Sequence, residues 1–175
     1  MTAVRDETMR SKELFVRHFR QTYGEYPDIP VWVATEVMSF GSLSRMLQGM
    51  VKNDQKMISN RFQLQPHILC TWMHHLVYIR NLCAHHARLW DRIWTIKPER
   101  PAGKDWQPPY LPSNSRLFAT LLILRHLMKR IPAVGQFASQ WQARVARHLD
   151  TPPAVSRWRD LMGLTADWSA HPAWQ

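Results

Sequence analysis

Cysteine is scarce in this sequence, which argues against a disulfide-stabilised fold and against a structural zinc site. The two cysteines, Cys70 and Cys83, fall within one predicted helix, where a rise of ~1.5 Å per residue separates them by roughly 20 Å and prevents a disulfide. No Cys-x2-Cys pair is present, which argues against a structural zinc site. Reduced thiols predict a cytoplasmic protein.

Long apolar runs are also missing. No stretch approaches the ~20 apolar residues that a membrane span needs. Residues 1–14 are polar and lack the apolar segment of a signal peptide. We therefore expect no membrane partner and no secretion.

Glycine is infrequent, with six residues in 175, and alternating β-branched stretches are few. Long stretches of 3.6-residue periodicity predict an all-α fold of five to seven helices with little or no sheet. At this length we expect a single domain over residues 1–175. It would contain a motif core (30–94), an irregular loop with five prolines (98–115) and C-terminal helices (116–163). The candidate helical segments, some of them short and separated only by a brief interruption, cover residues 11–23, 31–39, 43–50, 53 or 54 to 62, 66–92, 113 or 115 to 130, 137–149 and 152–163. A less ordered tail is expected over 168–175.

Positive charge is abundant. The chain has 23 Lys and Arg against 13 Asp and Glu, giving a formal net charge of +10. Arg outnumbers Lys by 17 to 6, and the guanidinium group suits bidentate contact with phosphate. This balance favours a polyanionic partner. A basic protein without such a partner is the open alternative.

The predicted helix over 66–92 carries most of the reactive side chains. Its core face would include Trp72, Ile79 and Cys83. The opposite face lacks Lys and Glu, the usual residues of a solvated surface, and holds side chains that donate to phosphate or transfer protons near neutral pH. These are His74, Tyr78, Asn81, His85, Arg88 and Arg92.

Arg80 projects onto the apolar face of this helix, where an unpaired guanidinium is costly. It must pair with a carboxylate, leave the face through a kink, or reach an interface. Glu36, on an otherwise apolar helix, is the first predicted structural partner of Arg80, and Asp91 is the second.

Arg80, Asn81 and His85 form an R-N-x-x-x-H pattern. An imidazole can take the proton of an RNA 2′-hydroxyl or protonate the leaving oxygen, while the guanidinium stabilises charge on the phosphorane and the amide positions the phosphate. Many unrelated helices contain this short pattern by chance, so a purely structural arginine and an idle surface histidine remain alternatives.

Two longer motifs surround the pattern. The first runs from Pro30 through Trp32, Glu36 and Ser39-Phe40-Gly41 to Ser44, and the second covers 80–92 (RNLCAHHARLWDR). Both resemble the Abi-like family of bacterial abortive-infection proteins, in the stretches P-x-W-x-x-x-E-x-x-S-F-G-x-L-S and R-N-x-C-A-H-x-x-R-x-W-[ND]-R. With a similar ending at 162–168, the resemblance covers roughly residues 11–168.

This resemblance implies a HEPN-type all-α domain whose R-x4–6-H motif is a ribonuclease signature, completed by two copies in a homodimer. It implies a metal-independent endoribonuclease, without cofactor, that leaves 2′,3′-cyclic phosphate ends, and a toxin role in phage defence with an RNA or protein antitoxin. Arg80, Asn81 and His85 would be catalytic. Weaker RNA-binding roles would fall to His74, His86, Arg88 and Arg92.

The sequence departs from the family pattern in one respect. It lacks the N-Y-Y-R-L-S-G-Y motif that family members carry further upstream, and it begins near the family's midpoint, so we expect an N-terminally short member. This leaves two alternatives open: a non-catalytic RNA-binding or toxin-regulating module, and a purely structural interaction protein.

Two pairs of histidines and two tryptophans suggest further binding sites. The pairs His74-His75 and His85-His86 invite a metal site, but neighbouring helical residues point in different directions and no carboxylate lies at i+4 to complete it, so we expect no metal. Trp106 and Trp174, in the predicted loop and tail, are expected to be the most exposed tryptophans and able to stack on bases.

Overall fold

Helices form the regular structure of this protein. The computed structural model describes residues 2–24, 26–150 and 156–175, which contain nine α-helices and no strand. The all-α prediction is confirmed, but the described residues contain more helices than the five to seven expected, and α1 has no predicted counterpart. The helices are α1 (Thr2–Arg10), α2 (Leu14–Thr22), α3 (Val31–Val37), α4 (Phe40–Gly49), α5 (Lys52–Arg61), α6 (Pro66–Ala84), α7 (Leu117–Met128), α8 (Gly135–Asp150) and α9 (Ser156–Met162).

Three single 3₁₀ turns complete the regular elements of the described ranges. They cover Lys104–Trp106, Pro132–Val134 and Trp168–Ala170. The predicted helix start at Pro152-Pro153 lies outside the described residues. None of the helices described here is long and apolar enough to cross a membrane.

The chain divides into two compact units, residues 1–50 and 51–175. The boundary falls inside the predicted motif core (30–94), so the first motif lies in unit 1 and the second in unit 2. Between α4 and α5, Met50 and Val51 are both extended. The stretch predicted as a single domain therefore contains two separately packed parts.

Unit 1 is organised around the start of α4. Ser39 occupies the N-cap position, and its hydroxyl accepts the Ser42 N–H at 3.2 Å. The carboxylate of Glu7 in α1 accepts the Ser42 hydroxyl at 2.8 Å and the Ser39 N–H at 3.2 Å. Burial alone would raise the pKa of Glu7, but these hydrogen bonds and the charge of Arg45 lower it. The first motif thus ties α4 to α1 within unit 1.

The core of unit 2 combines helices with irregular chain. Trp72 in α6 and Phe118 in α7 are fully buried. The indole N–H of Trp72 donates to Glu99 O at 2.8 Å, and that of Trp94 donates to Arg116 O at 2.9 Å. Buried indole donors therefore fix the connection between α6 and α7, which has little regular structure to satisfy its own carbonyls.

Three buried histidines also donate hydrogen bonds to backbone carbonyls. His75, fully buried, donates from Nδ1 to Ile96 O at 2.7 Å, which leaves Nε2 to accept from the Thr120 hydroxyl at 2.9 Å. His126 donates to Phe62 O at 2.8 Å, and His171 donates to Asp105 O at 2.7 Å. Because a carbonyl can only accept, each partner fixes the tautomer of a neutral imidazole.

The predicted exposure of two tryptophans is wrong. Trp106 is 8% exposed and Trp174 is 3% exposed. Trp106 packs 4.9 Å from Trp72, and Trp174 lies 5.3 Å from Trp168 between ring centroids. Their polar, proline-rich sequence surroundings conceal this burial, since the loop and the tail fold back onto the helices.

The tail over 168–175 is ordered, contrary to expectation. Arg125, itself buried, donates to Trp174 O at 3.2 Å and to Gln175 O at 3.3 Å, and Gln142 donates to Trp174 O at 2.7 Å. These bonds hold the tail against α7 and α8.

Gly163 ends α9 as predicted. It adopts φ +78°, and the Leu164 N–H donates to Arg159 O while the Gly163 N–H donates to Asp160 O, both at 2.9 Å. This is a Schellman motif, in which glycine is favoured because it lacks Cβ. A Cβ at Gly163 would lie 2.8 Å from Arg116 Cβ.

We predict that Gly163→Ala destabilises the protein by about 2 kcal/mol or more, because the left-handed conformation and the contact with Arg116 both oppose a side chain. Gly135→Ala is the matched control, since Gly135 is helical and has open space around it, and it should gain roughly 0.5 kcal/mol. Urea unfolding followed by tryptophan fluorescence measures both. Equal effects of the two changes would contradict the strain at Gly163.

We also predict loss of stability in mild acid. Burial lowers the pKa values of His75, His126 and His171 against the opposing effect of their carbonyl partners, and the pKa of His126 falls to about 4. The unfolded chain binds protons near pH 6.5 and the folded chain does not, so this stability is present above pH 6.5 and lost as pH falls toward 4.

For His126 alone the loss between pH 7.5 and pH 5 is about 1 to 2 kcal/mol. Urea unfolding at both pH values measures it. His126→Gln removes one titrating group, so its unfolding free energy should depend less steeply on pH than that of the wild type. A wild-type value that does not change between pH 7.5 and pH 5 is incompatible with three neutral buried imidazoles.

Candidate nucleic-acid interface

Helix α6 ends within the second motif. It was predicted to continue to Arg92, but it stops at Ala84, where the Ala87 N–H donates to Leu82 O at 2.9 Å and the His86 N–H donates to Cys83 O at 3.0 Å. His86 adopts φ +52°, the left-handed position of a Schellman motif. Histidine thus occupies the position that glycine usually takes after a helix. Because no glycine follows Ala84, the sequence did not predict that the helix ends there.

Arg80 and Asn81 lie on the last turn of α6 and contact each other. The Arg80 Nη1 group donates to Asn81 Oδ1 at 3.1 Å, and both residues are exposed. The prediction that Arg80 and Cys83 lie on a buried apolar face is wrong, because both are exposed. The buried residues of α6 end at Ile79, so its last turn lies outside the core of unit 2.

The two predicted partners of Arg80 also differ from expectation. Glu36 is exposed rather than buried. Asp91 pairs with Arg116 instead, at 3.7 Å. The Arg80 guanidinium is therefore held by an amide oxygen, which leaves its positive charge uncompensated by that bond.

His85 caps α6 directly after this turn. Its backbone N–H donates to Asn81 O at 3.1 Å, and its side chain is exposed. The structure thus brings Arg80, Asn81 and His85 to one exposed helix end. His74 is also exposed on α6, whereas its neighbour His75 belongs to the core.

Beyond the helix end, two arginines are fixed by contacts of their own. Arg88 lies over the Trp90 ring with its guanidinium carbon 5.1 Å from the ring centroid, and Trp90 packs edge-on to Trp158 at 4.3 Å. Arg92 donates from Nε to Arg88 O at 3.3 Å. Both guanidinium groups are exposed, as contact with a polyanion requires.

Positive charge is divided unevenly between the units. Residues 1–50 contain six Lys and Arg against six Asp and Glu, whereas residues 51–175 contain 17 against seven. The whole surplus of +10 therefore lies in unit 2, together with Arg80, Arg88 and Arg92. Among the described residues, no group of three or more His, Cys, Asp or Glu side chains is arranged to hold a metal ion.

A family model described as Abi-like protein matches residues 1–91. The chain belongs to the Abi-like protein family. The matched region contains the first motif and the second motif as far as Asp91, so the proposed similarity over 162–168 lies outside it. No curated protein and no solved structure matches this Abi-like protein significantly.

Trp90 contributes to this Abi-like site in a way that the sequence did not reveal. On a helix that continued to Arg92 it would lie on the core face, yet it is half-buried outside the helix and supports Arg88. The spacing R-x-W was the available signal, because an aromatic ring two residues from an arginine in irregular chain can pack under its guanidinium.

His85 has a negative φ and His86 a positive φ, so replacing each by glycine should have opposite effects on stability. His86→Gly should leave the free energy of unfolding unchanged or raise it by up to about 1 kcal/mol, because glycine removes the left-handed strain at φ +52°. His85→Gly should lower it by roughly 0.5–1 kcal/mol, since His85 has φ −92°. Urea unfolding of the pair tests the helix end, and destabilisation by His86→Gly exceeding that of His85→Gly would refute it.

Proposed function

We propose that this Abi-like protein is a metal-independent HEPN-type endoribonuclease that acts as a toxin in phage defence. Membership of the family suggests an abortive-infection function. The observation that carries the ribonuclease proposal is the exposed cluster of Arg80, Asn81 and His85 at the end of α6. These side chains supply an acid–base group, a cation and an amide without requiring a metal.

The proposed reaction is transesterification within RNA. A 2′-hydroxyl loses its proton to an imidazole and attacks the adjacent phosphorus, while the 5′-oxygen leaves with a proton. The products are a 2′,3′-cyclic phosphate and a 5′-hydroxyl. Arg80 would stabilise the charge that develops on the phosphorane, and Asn81 would hold a phosphate oxygen.

A second copy of the chain supports this chemistry. The reaction needs a general base and a general acid, and the R-N-x-x-x-H pattern supplies one histidine, His85, to each chain. Two copies related by a twofold axis would contribute one His85 each. The exposure of Arg80, Asn81 and His85 in one chain is the arrangement that such a composite site would start from.

Electrostatics favour RNA as the substrate. The surplus of +10 in residues 51–175 attracts a polyanion, and the exposed guanidinium groups of Arg88 and Arg92 can contact flanking phosphates. A proposed antitoxin, RNA or protein, would have to neutralise or cover this end of α6.

The experiment is digestion of single-stranded RNA in the presence of a chelator. We expect cleavage by the wild type, products with 5′-hydroxyl ends, and a rate lowered by about 10²-fold or more in His85→Ala. His67→Ala is the matched control, because His67 is an exposed histidine in the first turn of α6, and it should cleave at the wild-type rate.

Two outcomes would overturn the proposal. One is equal cleavage by wild type and His85→Ala. The other is salt-dependent RNA binding without cleavage, which would identify the non-catalytic RNA-binding module instead.

A further inference from the structure

Trp158 in α9 is the exposed tryptophan of unit 2. It is 39% exposed, whereas the other tryptophans in the described part of unit 2 are buried or half-buried. Stacking on bases was predicted for Trp106 and Trp174, which the fold buries. Trp158 is therefore the tryptophan of this unit whose ring remains open to a nucleobase.

Trp90 connects Trp158 to the second motif. The two rings meet edge-on, with centroids 4.3 Å apart and planes inclined at 74°. This contact orients Trp158 and leaves more than a third of its surface exposed. The guanidinium carbon of Arg88 lies 5.1 Å from the centroid of the Trp90 ring. A cation and two rings thus form one continuous group, the Arg88–Trp90–Trp158 array.

The array lies close to the proposed site along the chain. Arg88 is three residues after His85, and an extended chain spans at most ~3.6 Å per residue, which limits the separation of their Cα atoms to about 11 Å. Arg92 belongs to the same turn, because its N–H donates to Leu89 O at 3.2 Å and its Nε donates to Arg88 O at 3.3 Å. A nucleotide on the array would therefore lie next to the phosphate that His85 acts on.

The array combines the two kinds of group that bind single-stranded nucleic acid. Guanidinium groups contact phosphates, and aromatic rings stack on bases of any identity. Arg157, exposed beside Trp158 in α9, adds positive charge here. Bases in a duplex are already stacked on their neighbours, whereas unpaired bases can turn outward onto a side chain. The chemistry of the array therefore suits an unpaired nucleotide.

We propose that Trp158 is a base-stacking residue, which together with Trp90 and Arg88 binds an unpaired nucleobase beside the phosphate that is cleaved. This inference rests on the proposed function and names its substrate class, RNA that is single-stranded next to the cleaved bond. It differs from a purely structural role, because a tryptophan that only packs on Trp90 would not distinguish polyanions with bases from polyanions without them.

The test compares three probes that lack the attacking 2′-hydroxyl. They are a 2′-O-methylated single-stranded oligonucleotide, the duplex of the same sequence, and a single-stranded oligomer of equal length in which abasic tetrahydrofuran units replace the nucleosides. Trp158→Leu removes the aromatic face and keeps an apolar side chain, and Trp158→Phe keeps a smaller ring. Phe137→Leu is the matched control, since Phe137 is an exposed aromatic residue of unit 2 in α8. Urea unfolding checks that each variant is folded.

We expect Trp158→Leu to weaken binding of the single-stranded oligonucleotide by about fivefold or more, the loss of one stacked base. Binding of the abasic oligomer and of the duplex should not change. Trp158→Phe should retain part of the affinity, and Phe137→Leu should bind as the wild type does. With unmodified RNA, Trp158→Leu should raise KM by a similar factor and leave kcat unchanged.

The salt dependence of binding separates stacking from charge. Arg88→Ala should weaken binding of the oligonucleotide and of the abasic oligomer alike. It should also make the slope of log affinity against log salt shallower by about 0.7, the loss of one phosphate contact to a single strand. Trp158→Leu should leave that slope unchanged, because it removes no charge.

The wild type alone can also contradict the inference, since equal affinity for the oligonucleotide and the abasic oligomer would exclude a stacked base. Unchanged oligonucleotide binding in Trp158→Leu, or equal losses for the oligonucleotide and the abasic oligomer, would overturn it as well. None of these results depends on cleavage. The expected binding pattern in a protein that does not cleave RNA would overturn only the ribonuclease proposal.

Discussion

The bonds of the His75 imidazole are the interaction on which unit 2 most depends. The residue is fully buried and links α6 to Ile96 O in the connecting segment and to Thr120 in α7. Burial lowers the pKa of the ring and favours its neutral form, and the Ile96 carbonyl then requires the single proton on Nδ1, which leaves Nε2 to accept from the Thr120 hydroxyl. Because the segment after α6 has no helix or strand to satisfy its backbone, this side chain replaces regular structure as the source of order.

The exposed end of α6 follows from that arrangement. The buried residues of the helix stop at Ile79, which frees the last turn to present Arg80 and Asn81. The Schellman motif at His86 then redirects the chain, and Trp94 returns it to the core by donating to Arg116 O. Arg80 and Asn81 are thus exposed at the end of a helix whose earlier turns pack in the core. The segment between the helix end and Trp94 carries Arg88 and Arg92.

The sequence predicted the helical class because few glycines and sustained 3.6-residue periodicity are local properties. It also predicted Pro66 in the first turn of α6 and Gly163 as a helix end, since both depend on the residue's own backbone preferences. The sequence did not predict the helix end at His86, because that residue has no such backbone preference of its own. Histidine does not favour a positive φ, so only the surrounding hydrogen bonds impose it.

Burial was predicted less well where it depends on distant parts of the chain. Trp106 and Trp174 stand in polar or proline-rich sequence, yet contacts with residues far away in sequence bury them. Arg80 and Cys83 occupy apolar register positions, yet both are exposed, because the buried part of α6 ends at Ile79. Helical periodicity states which residues share a face but not how far the neighbouring elements extend.

The sequence by itself determined the helical class, the motifs of the Abi-like family and the residue types that could act on RNA. Tertiary structure alone decided that Arg80 and Asn81 touch at an exposed helix end, that Arg88 and Arg92 are held outside the helix, and that three histidines are neutral supports of the core. The physical reason is that backbone preference and periodicity are local, whereas exposure, tautomer and partner depend on what the rest of the chain brings into contact.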